Sequence, residues 1–68
     1  MTIDEVDFFD HGSESAAFMH LRKSHDGGIA IGFGIAKNGD LDLSVTLDDA
    51  RRLGARLLAA LDEIAAEG

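Results

Sequence analysis

The sequence predicts a small α+β domain in which an antiparallel meander of three or four β-strands is followed by one C-terminal helix packed on one face (β-β-β-β-α). Three observations predict it. The segment Gly28–Ala36 alternates large apolar residues with Gly or Ala, short Gly-containing loops flank it, and Thr46–Ala66 repeats apolar residues at helical spacing. We expect a single domain over residues 1–68.

The segment Gly28–Ala36 predicts the most distinctive strand. Its odd positions are Ile29, Ile31, Phe33 and Ile35, whereas every even position is Gly or Ala. Because strand side chains alternate between faces, this strand has one bulky face and one nearly bare face.

Three further segments are candidate strands. Residues 16–23 and 40–45 lie on either side of the central segment, and both contain apolar residues at alternate positions. Residues 2–9 alternate imperfectly, so the sequence leaves open whether they join the same sheet. Residues 10–15 are polar and contain Gly12, which predicts a loop.

The loop between the third and fourth strands is predicted from register. A two-residue loop would put Ile35 opposite Asp42 and mix apolar with acidic side chains. A three-residue loop, 37–39, with Gly39 in the left-handed conformation, pairs Ile35 with Leu41 instead. A one-residue slip would move a whole strand to the wrong face, so we predict the three-residue loop.

The same reasoning predicts a three-residue loop at residues 25–27. It pairs Leu21 with Ile31, Met19 with Phe33 and Ala17 with Ile35. Both hairpins then place their bulky side chains on one face of the sheet.

The helix is predicted over about residues 47–66, with Thr46 as N-cap and Asp49 three residues later. One stripe of this helix is assigned to the sheet: Ala50, Leu53, Leu57, Leu61 and Ile64. The predicted core consists of the apolar residues of the sheet and of this stripe: Met19, Leu21, Ile29, Ile31, Phe33, Ile35, Leu41, Leu43, Val45, Leu53, Leu57, Leu61 and Ile64.

A second stripe lies beside the first on the helix and has two interpretations. Its members are Leu47, Gly54, Leu58, Leu61 and Ala65. They either broaden the face that covers the sheet or form a self-association seam in a homodimer. Gly54 favours the seam, because a mid-helix glycine costs about 1 kcal/mol relative to alanine and permits close backbone approach.

Composition limits the function classes. The chain has 68 residues, no Cys and a net charge of −7, so its core is small and cannot be supplemented by disulfides. The negative charge disfavours direct nucleic-acid binding and suits either solubility or docking onto a basic protein. The acidic N-terminal sequence lacks the basic region of a signal peptide, and no apolar run approaches the length of a membrane span. We therefore expect a cytoplasmic protein.

The nearly bare sheet face is the candidate partner-binding site. Its predicted members are Phe18, His20, Arg22, Gly32, Gly34 and Asp42. In one interpretation Phe18 anchors a partner while His20 and Arg22 supply polar contacts. Alternatively, Phe18 only covers the backbone of a strand glycine, or the flat strip allows a second sheet or the N-terminal segment to pack closely.

The sequence contains no motif for catalysis or for a cofactor. The three histidines lack metal-ligand spacing, the serines lack a nucleophile motif, and the glycines of residues 32–37 lie within a strand instead of before a helix. Residues 45–61 resemble the strand-then-helix endings of many small bacterial and phage proteins, which implies no activity. We expect no enzyme activity, no cofactor and no metal.

The sequence thus predicts a small acidic, non-enzymatic protein–protein interaction module that forms a homodimer. Regulation or inhibition of a basic or nucleic-acid-handling protein fits the charge. One alternative is a small-ligand or metal-binding domain that uses His20 and Arg22. Another is a purely structural subunit whose only partner is a second copy.

Overall fold

A computed structural model describes residues 2–67 of the chain. The elements are β1 (Thr2–Asp10), β2 (Ser15–Lys23), β3 (Ile29–Ile35), β4 (Gly39–Val45) and α1 (Leu47–Glu67). The four strands form one antiparallel sheet in the order β1-β2-β3-β4. The predicted α+β class, strand order and C-terminal helix are confirmed.

Strand β1 belongs to the same sheet, which answers the question that its sequence left open. Val6 lies opposite Met19 and Phe8 opposite Ala17. The register shifts at Ile3, which has no partner in β2. This irregularity disturbs the alternation around Ile3. Phe9 breaks it at the other end, because Phe9 lies opposite Ala16 on the polar face.

The hairpin between β2 and β3 has the predicted register, with Leu21 opposite Ile31 and Met19 opposite Phe33. At its loop, the Ser24 amide donates a hydrogen bond of 3.0 Å to the Gly28 carbonyl. The three-residue loop predicted at residues 25–27 is therefore confirmed.

The hairpin between β3 and β4 is shifted by two residues from the prediction. Ile35 lies opposite Gly39 instead of Leu41, and the loop consists of residues 36–38. The Asn38 amide donates to the Ile35 carbonyl at 3.0 Å, and Gly39, with φ of +89°, follows this tight turn as the first residue of β4. Because the shift is even, every side chain keeps its predicted face.

The sheet consequently has an apolar face and a polar face. The apolar face contains Val6, Phe8, Ala17, Met19, Leu21, Ile29, Ile31, Phe33, Ile35, Leu41, Leu43 and Val45. The opposite, polar face contains Phe18, His20 and Arg22 with the glycines of β3 and several carboxylates.

Helix α1 begins as predicted. The Asp49 amide donates to the Thr46 hydroxyl oxygen at 3.1 Å, and the Ala50 amide donates to the Thr46 carbonyl at 3.0 Å. The Thr46 side chain thus accepts a hydrogen bond from a backbone N–H of the first helical turn that has no partner within the helix. Within residues 2–67, no helix is long and apolar enough to cross a membrane.

The helix does not cover the apolar face within a single chain, which corrects the predicted packing. Leu53, Leu57 and Ile64 are 54%, 62% and 66% exposed, and Leu41 on the sheet is 58% exposed. Among the described residues, Ala17 is the only buried apolar side chain. The predicted core residues therefore lie on the correct faces, but one chain alone does not bury them.

Candidate interaction surfaces

On the polar face, two aromatic rings lie over the glycines of β3. Phe18 is opposite Gly34 and His20 is opposite Gly32. A Cβ atom placed on Gly34 would collide with the Phe18 ring, and one placed on Gly32 would collide with His20 Nε2. The rings also contact each other edge to face, with centroids 5.6 Å apart. The glycines thus allow both rings to approach the backbone of β3 closely, which fits the interpretation that Phe18 covers strand backbone.

Asp42 lies beside Gly32 instead of Gly34, because of the shifted hairpin register. Its Oδ1 accepts a hydrogen bond from Arg22 Nη2 at 3.3 Å and lies 3.6 Å from His20 Nε2. The structure therefore brings the six predicted partner-binding residues together on one face. Both basic side chains already have a partner in Asp42.

Carboxylates flank the polar face on both edge strands, and sequence reasoning missed most of them. Glu5 and Asp7 of β1 lie in the same rows as His20 and Phe18, and Asp40 of β4 lies on the far side of Gly34. A shallow depression at the Phe18 end is lined by both Asp7 and Asp40. The available signal was the spacing of Glu5 and Asp7, which became informative only once β1 was paired with β2.

The helix presents its apolar residues to solvent. The first stripe, here called the helix stripe, is Ala50, Leu53, Leu57, Leu61 and Ile64, and the second is Leu47, Gly54, Leu58, Leu61 and Ala65. Every member is exposed except Ala50, which is half-buried. A Cβ atom on Gly54 would have no neighbour within 4 Å. Packing inside one chain therefore gives no reason for a glycine at this position.

Two carboxylates, one at the end of β1 and one in the β2–β3 loop, have structural roles. Asp10 accepts hydrogen bonds from the Ser13 hydroxyl at 2.6 Å and the Gly12 amide at 3.1 Å, and these bonds lower its pKa. The Ser24 hydroxyl and the Gly28 amide lower the pKa of Asp26 in the same way. Both carboxylates stabilise turns in their ionised form.

The described residues contain no group of three or more His, Asp or Glu side chains placed to hold a metal ion. His11 packs edge to face against Phe9, with ring centroids 5.0 Å apart. His20 contacts Phe18 and Asp42, as described above. These two imidazoles therefore have neighbours that account for their positions without a metal.

No protein-family model, curated protein or solved structure matches this chain. The surfaces that can indicate its function are the apolar face, the helix stripe, the second stripe beside it and the polar face.

Proposed function

We propose that this protein is a non-enzymatic, acidic protein–protein interaction module that works as a homodimer. The observation that carries the proposal is the pair of uncovered apolar surfaces, the apolar face and the helix stripe. Large contiguous apolar patches on a soluble chain mark interaction sites. A chain without cysteine, with Ala17 as its one buried apolar side chain among residues 2–67, has no other evident source of stability than association.

Sedimentation equilibrium of the wild-type protein tests self-association. We expect a mass of twice the 7.2 kDa of one chain and a thermal midpoint that rises with protein concentration, because unfolding is coupled to dissociation. A 7.2 kDa species that melts cooperatively at a midpoint independent of concentration would contradict the homodimer.

The polar face supports a second contact, with a basic protein. Phe18 supplies an aromatic surface, and Asp7 and Asp40 place carboxylates on both sides of the depression beside it. An aromatic ring bordered by carboxylates suits the aliphatic stem and the charged end of an arginine or lysine side chain. The net charge of −7 adds long-range attraction for a cationic partner. We propose that the module regulates or inhibits such a protein, including one that handles nucleic acid.

Affinity capture with matched charge variants tests this contact. The wild type should retain basic proteins that elute as the salt concentration rises from about 0.1 to about 1 M, because the Debye length shortens from about 10 to about 3 Å. The double variant D7N/D40N should lose them. The control D62N/E63Q removes the same charge from the helix and should retain them. A contact at the polar face would be contradicted if the captured proteins did not elute with increasing salt, or if D7N/D40N and D62N/E63Q lost them equally.

The proposal of small-ligand or metal binding by His20 and Arg22 has less support, since Asp42 already contacts both side chains. A purely structural role shares the homodimer and differs only in lacking the basic partner. If the wild-type protein captured no specific protein in the preceding experiment, the purely structural role would be favoured.

A further inference from the structure

We propose that two copies form a two-fold symmetric dimer in which α1 of each copy lies across the apolar face of the other. This inference rests on the proposed homodimer and specifies its geometry and its interface. The occupant of the apolar face is a second copy of this chain.

The connection between β4 and α1 is one residue long, and the helix that follows does not cover its own sheet. Only Thr46 separates Val45 from Leu47, and Thr46 is itself the N-cap. A connection this short disfavours folding of the helix back onto its own sheet. An uncovered helix is available to a neighbouring molecule, as in domain-swapped assemblies with short hinge loops.

The two apolar surfaces match in length. The helix stripe runs from Ala50 to Ile64, which at 1.5 Å per residue is about 21 Å. Strand β3 has seven residues and, at 3.3 Å per residue, spans about 20 Å. One helix can therefore cover the length of the central strand with its leucines against Ile31 and Phe33.

The surface area of the chain also fits a dimer. A folded monomer of this mass exposes about 4,100 Å², whereas this chain exposes 5463 Å². Burial of the excess in both copies would remove about 2,700 Å², which lies within the range of obligate homodimer interfaces. Two reciprocal helix–sheet contacts supply such an area, because each chain contributes both a helix stripe and an apolar face.

The charges of the chain favour contact between faces over pairing of strand edges. The edge strand β1 carries Asp4, Glu5 and Asp7, and the edge strand β4 carries Asp40 and Asp42. Symmetric pairing of either edge would bring like charges together, a common protection against edge association. The apolar face between these edges carries the large apolar side chains instead.

The ends of the proposed interface are also complementary. Asp4 lies opposite Leu21 and so shares the apolar face at its β1 edge. On the helix, Arg51 and Arg52 pair with Asp48 and Asp49 at 3.2 Å, and Arg56 lies outside the helix stripe. An ion pair between Arg56 of one copy and Asp4 of the other would favour one direction of the helix on the sheet.

Complementation between two variants tests the exchanged geometry. L57E/L61E disrupts the helix stripe, and F33D disrupts the apolar face. Each variant alone should lose the dimer in sedimentation, since both of its helix–sheet contacts contain a disrupted surface. An equimolar mixture should recover a heterodimer, because the intact helix of F33D can occupy the intact apolar face of L57E/L61E. A dimer of L57E/L61E alone would overturn the geometry in favour of sheet-to-sheet contact, and a dimer of F33D alone would overturn it in favour of helix-to-helix contact.

Cross-linking provides a test that does not depend on disruptive variants. The chain has no Cys, so L57C and L43C each introduce a unique thiol at an exposed position. A short bismaleimide added to their mixture should yield mainly the L57C–L43C product. Predominant L57C–L57C or L43C–L43C products would overturn the exchange while leaving the homodimer intact. If no cross-linked pair formed and the wild type were monomeric, both the exchanged geometry and the homodimer would be overturned.

Discussion

Replacement of Phe33 with aspartate is expected to abolish cooperative folding as well as assembly. Phe33 lies at the centre of the apolar face, between Met19 and Leu41. Phe33 is half-buried in one chain and becomes buried in the proposed dimer. Truncating a buried phenylalanine costs about 3–5 kcal/mol, and an unpaired carboxylate at the same place adds its own desolvation cost. The total is comparable to the whole stability of a small domain, about 5–15 kcal/mol. We expect F33D alone to be a monomer without a cooperative urea transition. Because folding is coupled to association in the proposed dimer, an equimolar mixture with L57E/L61E should regain such a transition.

The matched control is Ala30→Asp, on the same strand but on the polar face. Ala30 lies opposite Arg22, so the new carboxylate has a cationic neighbour and access to water. This control should sediment and melt like the wild type. Because one chain exposes the apolar face, a well-folded monomeric F33D with wild-type stability would mean that nothing covers that face in solution. The same reasoning applies to Leu43→Asp, since Leu43 is 40% exposed in one chain.

Replacement of Gly28 with alanine is expected to destabilise the protein by about 1–3 kcal/mol through steric overlap. A Cβ atom on Gly28 would collide with the carbonyl oxygen of Val45, which is backbone and cannot rotate away. Val45 ends β4 and immediately precedes the N-cap Thr46. A shift there would move the start of α1 relative to the sheet. For a domain of this size we expect the thermal midpoint to fall by roughly 4–8 °C for each kcal/mol.

Gly12→Ala provides the control for this substitution. A Cβ atom on Gly12 would meet only the Asp10 carboxylate, 3.3 Å away, and this side chain can adjust. Its thermal midpoint should stay close to that of the wild type. Equal midpoints for G28A and the wild type would contradict the close approach of Val45 to Gly28.

The proposed dimer would leave both polar faces directed outward. Each face would then present Phe18 and its flanking carboxylates on an opposite side of the assembly. Two identical sites on one rigid unit allow bivalent contact with a partner that carries repeated basic patches, which strengthens weak individual contacts. The apolar surfaces would thus provide stability, and the polar faces would provide recognition.

The sequence alone determined which side chains share a face. Strict alternation in residues 28–36 defined the bulky and bare faces of the strand. The predicted β3–β4 register was wrong by two residues, but the assignment of side chains to faces remained correct, because side chains on a strand alternate with a period of two residues. It also determined the start of the helix at Thr46, because a local hydrogen bond to Asp49 is enough to cap it.

Only the tertiary structure showed that α1 leaves the apolar face uncovered within one chain. The spacing of apolar residues identifies the apolar side of the helix. It does not determine whether this side packs on the sheet of the same chain, because that packing depends on the direction in which the chain leaves β4. With Thr46 as the sole connecting residue, α1 leaves Leu57 exposed. The positions of Glu5 and Asp7 on the polar face likewise depended on the register of the β1–β2 hairpin, which the sequence left open. The position of Asp40 depended on the β3–β4 register, which differs by two residues from the prediction.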